Sequence, residues 1–340
     1  MKNQKILVVG GTGSLGKSLI SRLKKDNIVG VFSRDEAKHW TIKNQENHSE
    51  KIKFFVGDIR DFERMEQVIV NFDPDTIIIA AALKQVDTCE LAPEESIKTN
   101  ILGPKNVVKV IEKNASRLSC STVVMVSTDK ACEPINVYGM CKAISERVVT
   151  SQSLNFQKEK IRFIGTRYGN VLDSRGSIIP LFKYQSLNND SITITDERMT
   201  RYVMTLDESV DLILKAVNVA ESGQLLIPKL KSMKIKDLAE IYSELSGKPI
   251  SVVGIRPGEK IHEKLVCEAE SLRAIDIGDH YVLESSTQKP SVKDAKIFEY
   301  SSENDLITKE ELKSYLYKLG HLDLKLEKYV GHSIEEIKTK

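Results

Sequence analysis

Short apolar runs alternate with longer amphipathic stretches through the first half of the chain. The runs Lys5–Val9, Ile28–Phe32, Ile52–Val56, Thr76–Ala80, Thr122–Val126 and Ile161–Thr166 have the length and β-branched content of buried strands. Between them, Gly16–Lys25, Arg60–Phe72, Pro93–Asn114 and Val137–Gln152 carry apolar residues at helical spacing. Leu15, Leu19, Ile20 and Leu23 mark one such face. This alternation predicts an α/β fold, a Rossmann-type doubly wound parallel sheet with helices on both faces.

The rhythm changes after about residue 170. Shorter strands at Ser191–Thr195, Gln224–Pro228 and Ile250–Val253 mix with helices at Leu206–Glu221 and Lys234–Ser246. A smaller C-terminal substrate-binding lobe over 171–300 is therefore expected, with its boundary in the Tyr168–Pro180 region and with strands able to rejoin the main sheet. Residues 301–340 are rich in Lys and Glu and predict a helical segment, either a packed hairpin or an oligomer contact.

The first strand runs into Gly10-Gly11-Thr12-Gly13-Ser14-Leu15-Gly16 and then into the first helix. Glycines at 10, 13 and 16 allow a tight turn, close approach of a diphosphate to the backbone, and close helix–strand packing. The helix N-terminus then offers unpaired N–H groups to the anion. In strand–turn–helix context this predicts that 1–170 is a dinucleotide-binding domain. At the end of the second strand, Ser33 and Arg34 stand where an acidic residue would read a ribose diol, and Lys38 follows one turn later. A guanidinium suits a 2′-phosphate, so NADP is expected, with NAD as the alternative. Asp35 and Glu36 read as acids opening a helix. Asp58 and Ile59, after the third strand, are placed for adenine, and Asp58 is equally suited to cap the next helix. Ala80, Ala81 and Ala82 after the fourth strand leave room for a cofactor or simply for packing.

Composition adds exclusions. The chain has 340 residues, 41% hydrophobic and 29% charged, with a formal net charge of +2, which is ordinary for a globular protein. That charge offers no reason to expect nucleic acid or an anionic membrane as partner. No apolar run reaches the roughly 20 residues of a membrane span, and a strand starts almost at the N-terminus, so a cytoplasmic location is expected. The five cysteines, Cys89, Cys120, Cys132, Cys141 and Cys267, form no C-x-x-C pair and suit a reducing compartment without a metal site. Cys132 and Cys141 flank the chemistry described next, as reactive thiols or as small buried side chains.

That chemistry is concentrated in Ser127-Thr128-Asp129-Lys130 and Tyr138-Gly139-Met140-Cys141-Lys142. Tyr138 and Lys142 share a helix face at i, i+4, where the ammonium and a nearby cationic nicotinamide ring are expected to lower the phenol's pKa. Asp129 and Lys130 add a carboxyl and an amine; a helix cap and a solvated loop lysine are their structural alternatives.

These residues resemble the extended short-chain dehydrogenase/reductases, and within them the inverting UDP-N-acetylglucosamine 4,6-dehydratases of surface-sugar pathways. The resemblance rests on residues 10–16, 33–36, 81–86, 127–131, 134–139, 167–171, 198–202 and 256–260, and covers almost the whole chain. Met140-Cys141-Lys142 is instead similar to the related capsule-sugar dehydratase-epimerases, in which methionine replaces the tyrosine that stands here as Tyr138. The resemblance implies internal redox chemistry without net cofactor consumption. Tyr138 takes the C4 hydroxyl proton with help from Lys142 and Thr128, Lys130 takes the C5 proton, and Asp129 protonates the departing C6 hydroxyl. It also implies Val171 as a cofactor contact and Lys84, Asn170, Thr193, Arg198, Arg256 and Glu259 as contacts for the UDP-sugar, in a homo-oligomer. His262 lies in the same loop as Glu259 and is read as packing or solvent-facing. A nucleotide-sugar epimerase and a non-catalytic NADP sensor are the competing readings.

Overall fold

The computed structural model describes residues 1–156, 160–172, 174, 176–287 and 296–324. The chain divides into two compact units: residues 1–168, 207–229 and 266–298 form the first, and 169–206, 230–265 and 299–340 the second. These units do not follow the consecutive blocks 1–170, 171–300 and 301–340. Beyond residue 324, the expected C-terminal helical segment lies outside the described residues.

In the first unit, β1 (Lys5–Val9), β2 (Ile28–Ser33), β3 (Ile52–Val56), β4 (Thr76–Ile79), β5 (Thr122–Val126) and β6 (Arg162–Thr166) are parallel and ordered 3-2-1-4-5-6. Their crossovers are α1 (Ser14–Leu23), α2 (Glu36–Gln45), α3 (Phe62–Phe72), a series from α4 (Val86–Leu91) and α5 (Pro93–Ile97) to α6 (Gly103–Asn114), and α7 (Val137–Thr150). Because helices cover both faces, β4 and β5 are buried at every position, which explains why they read as continuous apolar runs. Leu7, Val9, Ile77 and Ile79 pack with Met65, Val68 and Ile69 of α3 and Val107, Val110 and Ile111 of α6. Each such side chain contributes about 1.5–3 kcal/mol on burial.

The helix predicted over Pro93–Asn114 is interrupted by a π-helical turn at Lys98–Leu102. Within that turn the Asn100 amide donates to the Leu83 carbonyl (2.9 Å) and accepts from the Leu83 N–H (2.8 Å), fixing the loop after β4. The sheet also continues past β6. Strand β9 (Leu225–Pro228) joins in parallel, after α9 (Leu206–Val219), and β14 (His280–Leu283) and β13 (Ala274–Asp276) add antiparallel beyond it.

The second unit has its own apolar core, in which Phe182 of α8 (Ile178–Asn188) meets Leu238 and Tyr242 of α10 (Ile235–Ser246) and Leu312 and Leu316 of α12 (Lys309–Lys318). Paired short strands complete it. They are β7 (Ile192–Ile194) with β11 (Ile250–Val252), β8 (Thr200–Tyr202) with β10 (Ser232–Lys234), and β12 (Lys264–Val266) with β15 (Tyr300–Ser301). A four-residue helix, α11 (Glu268–Ser271), follows β12. Among the described residues no helix is long and apolar enough to cross a membrane.

Candidate active site

The strand order reverses between β1 and β4, so the loops leaving these strands diverge around a crevice at their carboxyl ends. Gly10 has φ +88° there, and a Cβ on it would lie 2.6 Å from the Ala81 nitrogen. The turn after β1 therefore sits directly against Ala80 and Ala81, whose small side chains permit the approach. A Cβ on Gly16 would overlap the Gly11 carbonyl. Gly13 stands at the N-cap of α1 with no side-chain cap, which leaves the start of this helix suited to an anion.

Beside this turn Thr12 donates to Ser33 (3.0 Å), and the Ser33 hydroxyl meets Nε2 of buried His39 (2.6 Å). Burial lowers the His39 pKa, so the ring is held neutral. Asp35, read from the sequence as an acid opening a helix, is the N-cap of α2 and accepts from the Lys38 N–H at 3.0 Å. Lys38 turns its ammonium back onto Asp35 at 2.7 Å, whereas Arg34 is largely exposed, 3.9 Å from Asp58. Asp58 caps no helix. Asp61 does so for α3, because Asp58 is turned onto Arg60, whose Nε and Nη2 reach its two oxygens at 3.0 and 2.7 Å. The Ile59 side chain lies in the core against Gly103 and its carbonyl accepts from the Asn106 amide at 3.0 Å, so its backbone N–H is what remains for a ligand.

Downstream of β5 the backbone makes a 3-10 turn at Asp129–Ala131, anchored by the Asp129 N–H donating to the Tyr168 carbonyl at 2.9 Å. Asn136 then caps α7 by accepting from the Gly139 N–H at 2.7 Å, and Glu90 accepts from the Val137 N–H. A Cβ on Gly139 would overlap the Lys130 carbonyl. Glycine beside the tyrosine is thus what lets the first turn of α7 rest on the 129–131 turn. The Asp129 carboxylate, 1% exposed, accepts from Thr128 Oγ1 at 2.9 Å and from Lys130 Nζ at 3.2 Å. Hence Thr128, Asp129, Lys130 and Tyr138 form one electrostatically coupled group.

The part of the expectation that names Lys142 as the ammonium acting on the phenol needs correction. Burial pushes Tyr138 up to about 12; Lys130 and a Thr128 hydrogen bond oppose this shift, and Asp129 adds to it. The ammonium acting on the phenol is therefore that of Lys130. Lys142 is buried and its Nζ donates a hydrogen bond to the Val126 carbonyl at 2.5 Å. Desolvation lowers its pKa to about 8, against the pull of Glu146 one turn further on. Glu146 in turn holds Arg167 through two hydrogen bonds, at 3.0 and 2.7 Å, and Arg167 reaches both oxygens of Glu270 at 2.6 and 2.9 Å. This buried network, the Asn100 clamp and His39 escaped the sequence reading. Only the adjacency of Arg167 to Tyr168 and the i, i+4 spacing of Lys142 and Glu146 could have hinted at the first of them.

In the second unit, several expected contacts are already engaged. The N–H of Thr193 donates to Gln185 at 3.1 Å and its hydroxyl accepts from the Gln185 amide at 2.7 Å. Arg198 forks onto Asp196 at 2.9 and 2.8 Å with its side chain 70% exposed. Arg256 and Glu259 pair with each other at 3.2 Å. Asn170 keeps a buried amide oxygen, Val171 bridges to Met204, and Lys84 of the first unit is exposed. His262 is bonded to Thr200 at 2.9 Å, in keeping with a packing role.

The 3-2-1-4-5-6 sheet, the glycine turn at its switch point and the Tyr138–Lys142 helix face define an extended short-chain dehydrogenase/reductase. The family described as polysaccharide biosynthesis protein matches residues 6–285, and the chain belongs to it. A protein of Methanocaldococcus jannaschii described as an uncharacterized membrane protein is 37% identical over 332 residues, covering 94% of this chain and 97% of its own. A UDP-glucose 4-epimerase of Rickettsia bellii is 36% identical over 340 residues, with 95% and 98% covered. The crystal structure of Pen from Bacillus thuringiensis superposes with a TM-score of 0.87 at 34% identity, over 95% of this chain and 99% of that one.

Proposed function

We propose that this chain is a UDP-N-acetylglucosamine 4,6-dehydratase that inverts C5, working with NADP. The observation that carries the reading is the Asp129–Lys130 pair at 3.2 Å beside Tyr138. An elimination needs an acid and a base at neighbouring carbons. Transfer of one proton from the Lys130 ammonium to the Asp129 carboxylate produces both at once, a neutral amine and a protonated carboxyl. No proton need be taken from solvent for that transfer. Lys130 then removes the C5 proton, and Asp129 protonates the C6 hydroxyl as it leaves.

Gly10, Thr12, Gly13, Ser14, Leu15 and Gly16 would hold the cofactor diphosphate, and Ser33, Arg34 and Lys38 the adenosine ribose phosphate. Asp58 and the backbone of Ile59 would meet the adenine. Ala80, Ala81, Ala82 and Val171 would line the remainder. The uncapped helix and the glycine cradle suit such a group. A nicotinamide dinucleotide, when bound, supplies a reversible hydride acceptor and a positive charge that favours phenolate. Tyr138, otherwise protonated at neutral pH, then accepts the C4 hydroxyl proton, with Thr128 bonding the same oxygen and Lys142 holding the nicotinamide ribose. Lys84, Asn170, Thr193, Arg198, Arg256 and Glu259 remain the proposed UDP-sugar contacts, and Arg198 and Arg256 would have to leave their carboxylate partners for a diphosphate.

The second reading is a 4-epimerase, favoured by the name of the Rickettsia bellii relative. Such a reaction uses Tyr138 and Lys142 but has no task for an amine beside a carboxyl. Incubation with UDP-N-acetylglucosamine separates the two by mass: loss of one water supports elimination, and an isomer of unchanged mass supports epimerisation. Lys130→Ala is expected to abolish water loss and leave NADP binding unchanged. Persistent dehydration in that variant would remove Lys130 as the base.

A further inference from the structure

All five cysteines are buried and none is in a disulfide, yet two of them meet. The Cys132 and Cys267 sulfurs are hydrogen-bonded to each other. Their sulfurs and a Glu270 carboxylate oxygen all lie within 4.8 Å of one another. Cys132 also donates to Glu270 Oε2 at 3.5 Å. A cation is a poor occupant, because both Glu270 oxygens are taken by Arg167 and a second guanidinium, that of Arg273, stands 3.4 Å away.

We propose that Cys132 and Cys267 form an oxidisable dithiol, a modification site whose oxidant is a peroxide and whose product is an intramolecular disulfide. The Cys267 sulfur attacks one peroxide oxygen, the O–O bond breaks, and Cys267 becomes a sulfenic acid as hydroxide departs and is protonated to water. The Cys132 sulfur then attacks the Cys267 sulfur. The S–O bond breaks, and the leaving hydroxyl carries off the Cys132 proton as a second water. Two electrons pass from the two thiols to one peroxide. The division of roles follows from the contact between the sulfurs, which lowers the Cys267 pKa and raises that of Cys132. Cys267 is also the more accessible, 8% exposed against 1%.

The site matters because of its neighbours in sequence. Cys132 follows the 129–131 turn directly and donates its N–H to the Asp129 carbonyl at 3.1 Å. Drawing the sulfurs together to about 2.05 Å moves Cys132 away from Glu270 and pulls on the turn that carries Asp129 and Lys130. The effect on rate rests on the proposed reaction; formation of the bridge does not.

Treatment of the folded protein with hydrogen peroxide, followed by alkylation, digestion and mass spectrometry, tests the bridge. The expected result is a linked pair of peptides carrying residues 132 and 267, lighter by two hydrogens and restored by dithiothreitol. Cys132→Ala and Cys267→Ala should each prevent that loss, and Cys89→Ala should not. Oxygen addition without a bridge, or a bridge mapping to another pair, would overturn the proposal. Mapping in the unchanged chain decides this even if a variant fails to fold. With the bridge formed, turnover of UDP-N-acetylglucosamine should fall by about a hundredfold and recover on reduction. A bridged protein with undiminished turnover would show that the dithiol does not control the turn.

Discussion

Lys142 shows how one residue sets stability and chemistry against each other. Its folded pKa of about 8 lies below the ordinary 10.5, because burial penalises the ammonium. Between those values the unfolded chain holds a proton that the folded chain does not, so stability rises with pH across the window and is lost as pH falls through about 8. Lys142→Met should therefore stabilise the protein at pH 7, on the order of 1–2 kcal/mol after loss of the bond to the Val126 carbonyl. The advantage should shrink towards pH 10 in urea unfolding while activity is lost throughout; an advantage independent of pH would show that the ammonium is not the source. Arg34 makes a second residue-scale case. Arg34→Ala should weaken NADP binding by about tenfold and leave NAD binding nearly unchanged, measured by calorimetry. Equal losses for both would remove Arg34 as the reader of the ribose phosphate. The Asp129–Lys130 pair was legible because adjacent residues stay close whatever the fold. Glu146, Arg167 and Glu270 were not, because their meeting depends on a segment that returns about a hundred positions later.

At the scale of elements, α7 and the 129–131 turn act as one piece. Asn136 caps the helix, Gly139 admits the Lys130 carbonyl, and Tyr138 is thereby presented to Lys130. Gly139→Ala should cost on the order of 1–3 kcal/mol, read by chemical unfolding, because its Cβ would displace backbone rather than a flexible side chain. It should also lower turnover more than Met140→Ala, a change one residue away at a half-exposed position. Equal effects of the two substitutions would count against this packing. Helical spacing identified α1, α3 and α7 because each keeps one apolar face against the sheet. Over Pro93–Asn114 the stretch is helical as expected, but the spacing does not reveal the π turn at Lys98–Leu102 within it. That turn is bound up with tertiary contacts: Asn100 bonds Leu83 through its side chain and accepts from the Ser145 hydroxyl through its carbonyl. No pattern of apolar residues encodes such a bulge. Strands β13 and β14 were missed for a related reason, since they are short edge pairs whose partner, β9, is remote in sequence.

For the molecule as a whole, the path of the chain decides what can fold alone. Residues 1–168 contain the glycine turn, Tyr138 and six strands, and from sequence look like a self-sufficient dinucleotide-binding domain. They lack β9, whose Leu225 and Leu226 pair with Gly165 and Thr166 along the open edge of β6. The backbone N–H of Arg167 also donates to the Leu226 carbonyl at 3.1 Å. They lack Glu270 as well, which would leave the 1% exposed Arg167 guanidinium with only Glu146 for a partner. Removing one member of a buried charge network costs about 3–5 kcal/mol, a large share of the 5–15 kcal/mol that holds a typical domain. An uncovered β6 edge adds a template for aggregation. A fragment of residues 1–168 should therefore elute as aggregate or melt without cooperativity by circular dichroism, while the full chain melts sharply. A monomeric fragment with a cooperative transition close to that of the full chain would mean that β9, β14 and Glu270 are appendages to the first unit. The wound order of β1 to β6 then suffices by itself, and the return of residues 207–229 and 266–298 serves some purpose other than closing that edge.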